Sequence, residues 1–306
     1  MGIVVIGATF VDIKGFPEDN YIPTGRNVGR VEYIHGGVAR NVVEDIANVE
    51  LRPTFLGIVD DTPMGTDVVE KLRNHKVNVE HVMVLPDGMG TWLAVFDNNG
   101  DVAGSISKRP NMLPLVDLLE EKGDKIFADA DSVVLEVDLE KEIVKKVLEL
   151  ASRHGTKVFG LVSNMNIAAK RRDFLRKFYC FICNQQEAGQ LFVDDYSEKT
   201  PEEMRDVLSQ KVLAAKIPSM VVTMGEKGAV YADSRGQKGL CPARKVQVKD
   251  TTGAGDAFCA GVAIGLTYGK TMPQAIEIGS MLAASVITSS ENVCPRFQPE
   301  ELGLKI

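Results

Sequence analysis

Lys249-Asp-Thr-Thr-Gly-Ala-Gly-Asp-Ala257 is the stretch on which the reading of this chain turns. Three small residues, Gly253, Ala254 and Gly255, are followed at once by Asp256 and then by a run with helical character from Ala257 to Tyr268. Small residues at a helix start leave backbone N–H groups uncovered, and the aligned peptide dipoles add roughly half a positive charge there. Such an end holds an anion, most simply a phosphate. A carboxylate beside it repels that anion unless it has a task, and taking the proton from an attacking hydroxyl is one. Taken alone, the same residues also read as a glycine-rich turn capped by aspartate.

Outward from this stretch, short apolar strands alternate with amphipathic helices. Strands are expected at 3–6, 54–58, 132–137, 157–161, 179–183 and 219–223, and helices at 38–49, 63–74, 141–154, 168–177, 201–215, 257–268 and 272–289. In the helix at 141–154, Ile143, Val144, Val147, Leu148 and Ala151 recur every three or four residues, and Gly155 stands where glycine stops a helix. The rhythm implies an α/β fold, a mainly parallel central sheet with helices on both faces. Segments 11–35 and 91–108 break it: the first is punctuated by Gly and Pro, the second is a hairpin around Asn99-Gly100. Both are expected to form a small β lid on a single domain spanning 1–306.

The 306 residues are 44% hydrophobic and 25% charged, ordinary for a soluble globular protein. A net charge of −7 argues against a nucleic-acid partner. No apolar stretch approaches the ~18 residues of a membrane span. Met1–Ile6 lacks a basic leader and reads as a first strand, and Gly7 stands where a myristoylation signal wants Ser or Thr. Five cysteines suggest a reducing compartment, and a cytoplasmic location is expected. Cys180 and Cys183 lie three apart on an apolar strand and so face opposite sides, as core residues do.

Four further elements carry polar chemistry. Gly36-Gly-Val-Ala-Arg-Asn41 opens the helix at 38–49; paired glycines admit a ligand close to backbone, and Asn41 offers a donor and an acceptor. Asp12 follows the first strand's carboxyl end, where open parallel sheets bind ligands, and suits two adjacent sugar hydroxyls. Each is equally readable as a cap or turn residue. Asn184-Gln-Gln-Glu187 fits a capping box, or a polar pair organising Mg²⁺ through water together with phosphates. Thr223-Met-Gly-Glu-Lys-Gly228 seats phosphates or makes a tight hairpin. Gly269-Lys-Thr271 is not a Walker A ending, since Ile264 replaces the required glycine.

In this order and spacing, Gly36-Gly37 with Asn41, Asn184 with Glu187, Thr223-x-Gly225-x-x-Gly228 and Asp250-Thr-Thr-Gly-Ala-Gly-Asp256 resemble the PfkB/ribokinase family of carbohydrate kinases over nearly the whole chain. The resemblance implies a ribokinase-like fold and ATP-dependent phosphorylation of a hydroxymethyl group. It makes Asp256 the catalytic base and Gly253, Ala254 and Gly255 the anion hole. Asp12, Gly36, Gly37 and Asn41 become acceptor-binding positions, and Asn184, Thr223, Gly225 and Gly228 nucleotide-binding ones. Glu187 would act on Mg²⁺ through water, and Asp250 with the Thr252 carbonyl matches a monovalent-cation position, often K⁺.

Within the family, Gly36–Asn41 looks closer to pseudouridine kinases than to ribokinases, which tend to carry Lys at the place of Val38. Val162-Ser-Asn-Met165 and Lys108-Arg109-Pro110 depart from that subgroup. Pseudouridine or another ribonucleoside leads as acceptor, with a free sugar or sugar phosphate as the alternative. A non-catalytic sensor on the same fold is the rival class. A nicotinamide dehydrogenase is disfavoured because Gly2–Gly7 lacks the G-x-G-x-x-G spacing. Lid strands leave pairing edges, so a homodimer through the lid is expected.

Overall fold

A computed structural model describes residues 2–305. It opens with β1 (Ile3–Ile6), four apolar residues that are all buried, as suits a strand covered on both faces. Then come β2 (Phe10–Pro17), β3 (Gly29–Gly36), α1 (Val38–Asn48), β4 (Thr54–Val59), α2 (Pro63–Asn74) and β5 (Val82–Val84). They are followed by β6 (Gly90–Phe96), β7 (Val102–Lys108), α3 (Pro114–Ala128), β8 (Ser132–Glu136), α4 (Lys141–His154), β9 (Lys157–Leu161), α5 (Met165–Ala168) and α6 (Arg172–Leu175). The chain ends through β10 (Cys180–Asn184), α7 (Gln185–Phe192), α8 (Pro201–Ala215), β11 (Ser219–Thr223), β12 (Ala229–Asp233), β13 (Lys238–Cys241), α9 (Ala254–Thr267) and α10 (Met272–Ile287).

Nine strands form one sheet in the order β13-β12-β11-β10-β9-β8-β1-β4-β5. From β11 to β5 the pairs are parallel, while β12 and β13 add an antiparallel edge. The strand order reverses at β1, and ligands of such sheets bind beside the carboxyl ends at that reversal. Alternation along β1 divides the core. Val4 and Ile6 join the layer of α3, α4 and α8, whereas Ile3 and Val5 join that of α1, α9 and α10. Truncating a buried aromatic such as Phe55 to alanine would cost about 3–5 kcal/mol. Cys180 and Cys183 fall in opposite layers, and burial pushes both thiols upward, Cys180 to about 12.

A second sheet, β3-β2-β6-β7, is built from the chain between β1 and α1 and between β5 and α3. Register partners share a face, so Asp12, Trp92, Lys14 and Ala94 lie on one side, and Ile13, Tyr33, Leu93 and Ile106 on the other.

Three local expectations are corrected. The last long apolar helix pair starts earlier and stops sooner: α9 begins at Ala254, so Asp256 sits in its first turn, and α10 ends at Ile287. The helix expected at 168–177 is broken into α5, a 3₁₀ turn at Ala169–Arg171, and α6, with the Arg171 guanidinium donating to the carbonyls of Val137 and Leu139. Helix α3 was not foreseen, although its buried Leu115, Leu119, Gly123, Ile126 and Phe127 keep helical spacing.

The position of α9 rests on small residues. A Cβ on Gly261 would fall 2.5 Å from the Gly279 Cα, and one on Gly265 would fall 2.7 Å from the Ala275 Cα. The two helices therefore touch backbone to backbone, which fixes where the amino end of α9 emerges.

Candidate active site

At the amino end of α9, two glycines have different reasons to be there. Gly253 precedes the helix at φ 82°, and a Cβ on it would lie 2.0 Å from the Asn292 carbonyl oxygen. Any larger residue there is excluded by backbone. A Cβ on Gly255 would meet nothing within 4 Å, so its bareness serves no packing need. Ala254 N–H already donates to the Thr251 carbonyl at 3.2 Å. Gly255 and Asp256 lie in the first turn, where amides lack helical acceptors. The amides left without acceptors at this helix end are thus those of Gly255 and Asp256 more than that of Gly253.

Gly255 and Ala254 face a mostly apolar pocket with Thr223, Gly225, Gly228 and Phe258, holding about 610 Å³ of space partly open to solvent. Thr223 and Gly225 also border a polar opening lined by Asn184, Gln185, Tyr196 and Ser197. Gly225 has φ 58° with free space at its Cβ position, whereas a Cβ on Gly228 would lie 2.1 Å from the Cys241 carbonyl oxygen. Gly228 makes the turn; Gly225 leaves room. The apolar pocket suits a flat apolar ring, and the uncovered amino end of α9 borders it at Ala254 and Gly255.

Half-buried Asp256 accepts a 2.7 Å hydrogen bond at Oδ2 from Asn41 Nδ2. Burial pushes its carboxyl up to about 7, against the Asn41 bond and the Arg40 charge, and with help from the Glu187 and Asp12 carboxylates. Residues of β2, α1 and α7 therefore act on one acid. A base poised near neutrality is what proton abstraction at physiological pH requires.

Asp12 lies over Gly36: a Cβ there would sit 2.5 Å from its Oδ1. Gly37, at φ 98°, would place a Cβ 2.6 Å from the Ala8 carbonyl oxygen. Both glycines are thus required by the protein's own atoms, the first by the Asp12 carboxylate itself, and not only by a ligand's approach. Burial raises the Asp12 carboxyl, opposed by Lys14 and Arg40.

Asn184 and Glu187 do form a capping box, each side chain meeting the other's backbone N–H at 2.8 Å. Glu187 is raised by burial and by Asp138, and it still acts on Asp256. Among the described residues, no group of three or more His, Cys, Asp or Glu side chains is arranged to hold a metal ion. With no such cluster, a divalent cation would need oxygen ligands from bound phosphates and water beside any that Glu187 offers. Asp250 Oδ1 accepts from Thr252 N–H at 2.8 Å, and Lys249 N–H ties this loop to Ile287 at 2.9 Å.

Sequence reasoning overlooked Glu136 and Asp138, at and just past the carboxyl end of β8. Glu136 is buried and accepts from Ala8 N–H at 2.9 Å, and burial with the Asp138 charge pushes it up to about 8. Asp138 receives Arg109 Nη1 and Ser163 N–H, each at 2.9 Å. The carboxyl-end rule that singled out Asp12 applies equally to these two.

Comparison with known proteins gives the family and the fold. Residues 2–294 match the pfkB family carbohydrate kinase. Guanosine-inosine kinase of Exiguobacterium acetylicum is 36% identical over 293 residues, covering 95% of each chain. Pseudouridine kinase of Escherichia coli is 23% identical, over 95% of this chain and 93% of its own. Among solved structures, Arabidopsis thaliana ribokinase complexed with ribose and ATP superposes with a TM-score of 0.86 at 20% identity, over 98% of this chain and 97% of its own. Adenosine kinase of Sinorhizobium meliloti gives 0.75 at 21%, over 96% and 95%. With a ribokinase-like fold and a family match over residues 2–294, the chain belongs to the pfkB carbohydrate kinases and is a phosphotransferase of the sugar and nucleoside kinase type.

Proposed function

We propose that this enzyme transfers the γ-phosphoryl group of ATP to the hydroxymethyl group of a ribonucleoside, with 6-oxopurine ribonucleosides foremost. The observation that carries the chemistry is the Asn41–Asp256 hydrogen bond at the bare amino end of α9. Asp256 Oδ2 is occupied by Asn41, which leaves Oδ1 to take the acceptor's proton. The freed oxygen attacks the γ-phosphorus, the bond to the β–γ bridging oxygen breaks, and ADP departs. First-turn amides of α9 offset the charge on the migrating group. Mg²⁺, when bound with the phosphates, would supply further charge neutralisation, with Glu187 oriented towards it through water. The Asp250–Thr252 turn is the proposed place for a monovalent cation such as K⁺.

A nucleoside acceptor is supported by the 36% identity to a guanosine-inosine kinase. It is also supported by aromatic residues in the lid. Trp92 pairs directly with Asp12 on the same lid face, and the rings of Phe16 and Phe96 stack at 4.7 Å. Such rings suit a base better than a bare sugar. Pseudouridine remains a second reading because of Gly36–Asn41 and the Escherichia coli relative. The opposite lid face exposes Tyr33, Leu93 and Ile106 in one register-linked row, which supports a homodimer formed through the lid.

The test is transfer from γ-labelled ATP to guanosine, inosine, pseudouridine, adenosine and ribose, by the native enzyme and by Asp256→Asn. Native transfer to guanosine or inosine, lost in the variant, is expected. Binding without transfer in both proteins would support a sensor instead.

A further inference from the structure

Arg40 immediately precedes Asn41, and its large cationic side chain is 1% exposed. Its Nη1 donates to Glu44 at 2.5 Å, and its Nη2 donates to the His35 carbonyl and to Asn41 Oδ1. Glu44 is itself fully buried, with its other oxygen 3.1 Å from Lys71 Nζ. Burying such a pair is costly, and an apolar pair of equal volume is often as stable or more so. Packing alone therefore gives no reason for Arg40 on this helix.

Asn41 supplies the reason. Its Oδ1 is faced by two donors, Arg40 Nη2 and Asn292 Nδ2, the latter at 3.4 Å. Reversing the amide would set its NH₂ against those donors and its oxygen against the Asp256 carboxylate. Only one orientation satisfies all the partners.

We propose that Arg40 is a positioning residue of the phosphoryl transfer: it clamps the Asn41 amide with Nδ2 towards Asp256 Oδ2, so that Oδ1 of the base is always the oxygen turned to the acceptor. This assignment rests on the reading of Asp256 as base. The electrostatics around that acid agree. Asp12 of β2, Asp45 of α1, Glu187 of α7 and Cys259 of α9 couple to it as acidic groups, and Arg40 is the cation that opposes them. Arg40, buried behind Asn41, thus acts on the geometry and the charge state of the base through that amide.

Because Arg40→Met alone strands Glu44 in the interior, the test variant is Arg40→Met combined with Glu44→Gln, alongside Arg40→Lys. Turnover with guanosine, KM for both substrates and the pH dependence of kcat/KM are measured on protein whose folding is checked by cooperative melting. The double variant is expected to lose about 10- to 100-fold in kcat. KM for ATP should stay within about twofold, and the activity limb should move up by about one pH unit. Arg40→Lys keeps the cation but not the fork, so kcat should fall while the limb stays near its native pH. A general loosening would instead raise both KM values and leave the limb in place. If the double variant does not fold, Arg40→Lys decides by itself, and native kcat there overturns the assignment. A folded double variant with native kcat and an unmoved limb overturns it too. Asp256→Asn assayed in parallel separates the two claims: native turnover in that variant removes the base itself, while an inactive Asp256→Asn beside a native-like double variant removes only Arg40.

Discussion

Asn41 Nδ2 stands 2.7 Å from Asp256 Oδ2, joining the first turn of α1 to the first turn of α9 across 215 positions of sequence. The bond makes the two carboxylate oxygens unequal and ties α1, which follows the lid strand β3, to the uncovered amino end of α9.

Asp256 is in conflict with stability at high pH. Its folded pKa of about 7 exceeds the unfolded value of 3.8, so the folded state loses relative stability as pH rises through this window, and above about 7 the full penalty applies. Asp256→Asn should therefore raise the melting temperature at pH 8 by a few degrees. The gain should shrink to nothing as pH falls towards 4. Calorimetric scans of both proteins across this range check the sign.

Gly253 and Gly255 should separate folding from chemistry. Gly253→Ala meets the Asn292 carbonyl and a left-handed φ, so it should lower the melting temperature strongly. Gly255→Ala meets no protein atom, so it should melt like the native protein yet lose about 10²-fold or more in kcat as its methyl enters the phosphate's space. Melting curves and steady-state kinetics on the two variants suffice.

Glu187→Gln keeps the cap, since glutamine accepts from the Asn184 N–H as glutamate does. It removes a charge that raises Asp256. Melting should change little, the activity limb should move to lower pH, and the Mg²⁺ concentration for half-maximal rate should rise. A magnesium titration at several pH values reads all three effects.

Trp92 is the sole tryptophan of the chain and shares a lid face with Asp12. Guanosine should alter its fluorescence strongly and ribose much less. Trp92→Ala should raise KM for the nucleoside, with a loss of about 1–3 kcal/mol of binding, and leave KM for ATP unchanged.

Much of this arrangement was readable in the residues themselves. Unbroken apolar runs such as Ile3–Ile6 fixed the parallel strands, and the spacing Ile143, Val144, Val147 with Gly155 fixed α4, because burial on a repeating face leaves a periodic trace. The Gly253–Gly255 run before an apolar helix was also visible, although its two readings, turn or anion site, are not separated by residue type alone. Less visible was anything set by through-space partners. Gly36 looked like ligand access, but the Asp12 carboxylate fills that space, and no local pattern reveals a neighbour 24 residues away. The Arg40–Glu44 pair drew no attention in the sequence, because nothing local shows that both side chains are buried or that Lys71 of α2 reaches Glu44. The start of α9 was placed three residues late because glycine and alanine carry no amphipathic signal.

The most direct measurement is kcat/KM for guanosine against pH, for native enzyme and Asp256→Asn, at saturating ATP and Mg²⁺. Native activity should climb through a midpoint near 7 and then level off, while the variant runs about 10²–10⁴-fold lower with no such limb. Transfer by Asp256→Asn at the native rate, or a native profile flat across pH 5–9, would contradict an aspartate taking the acceptor's proton.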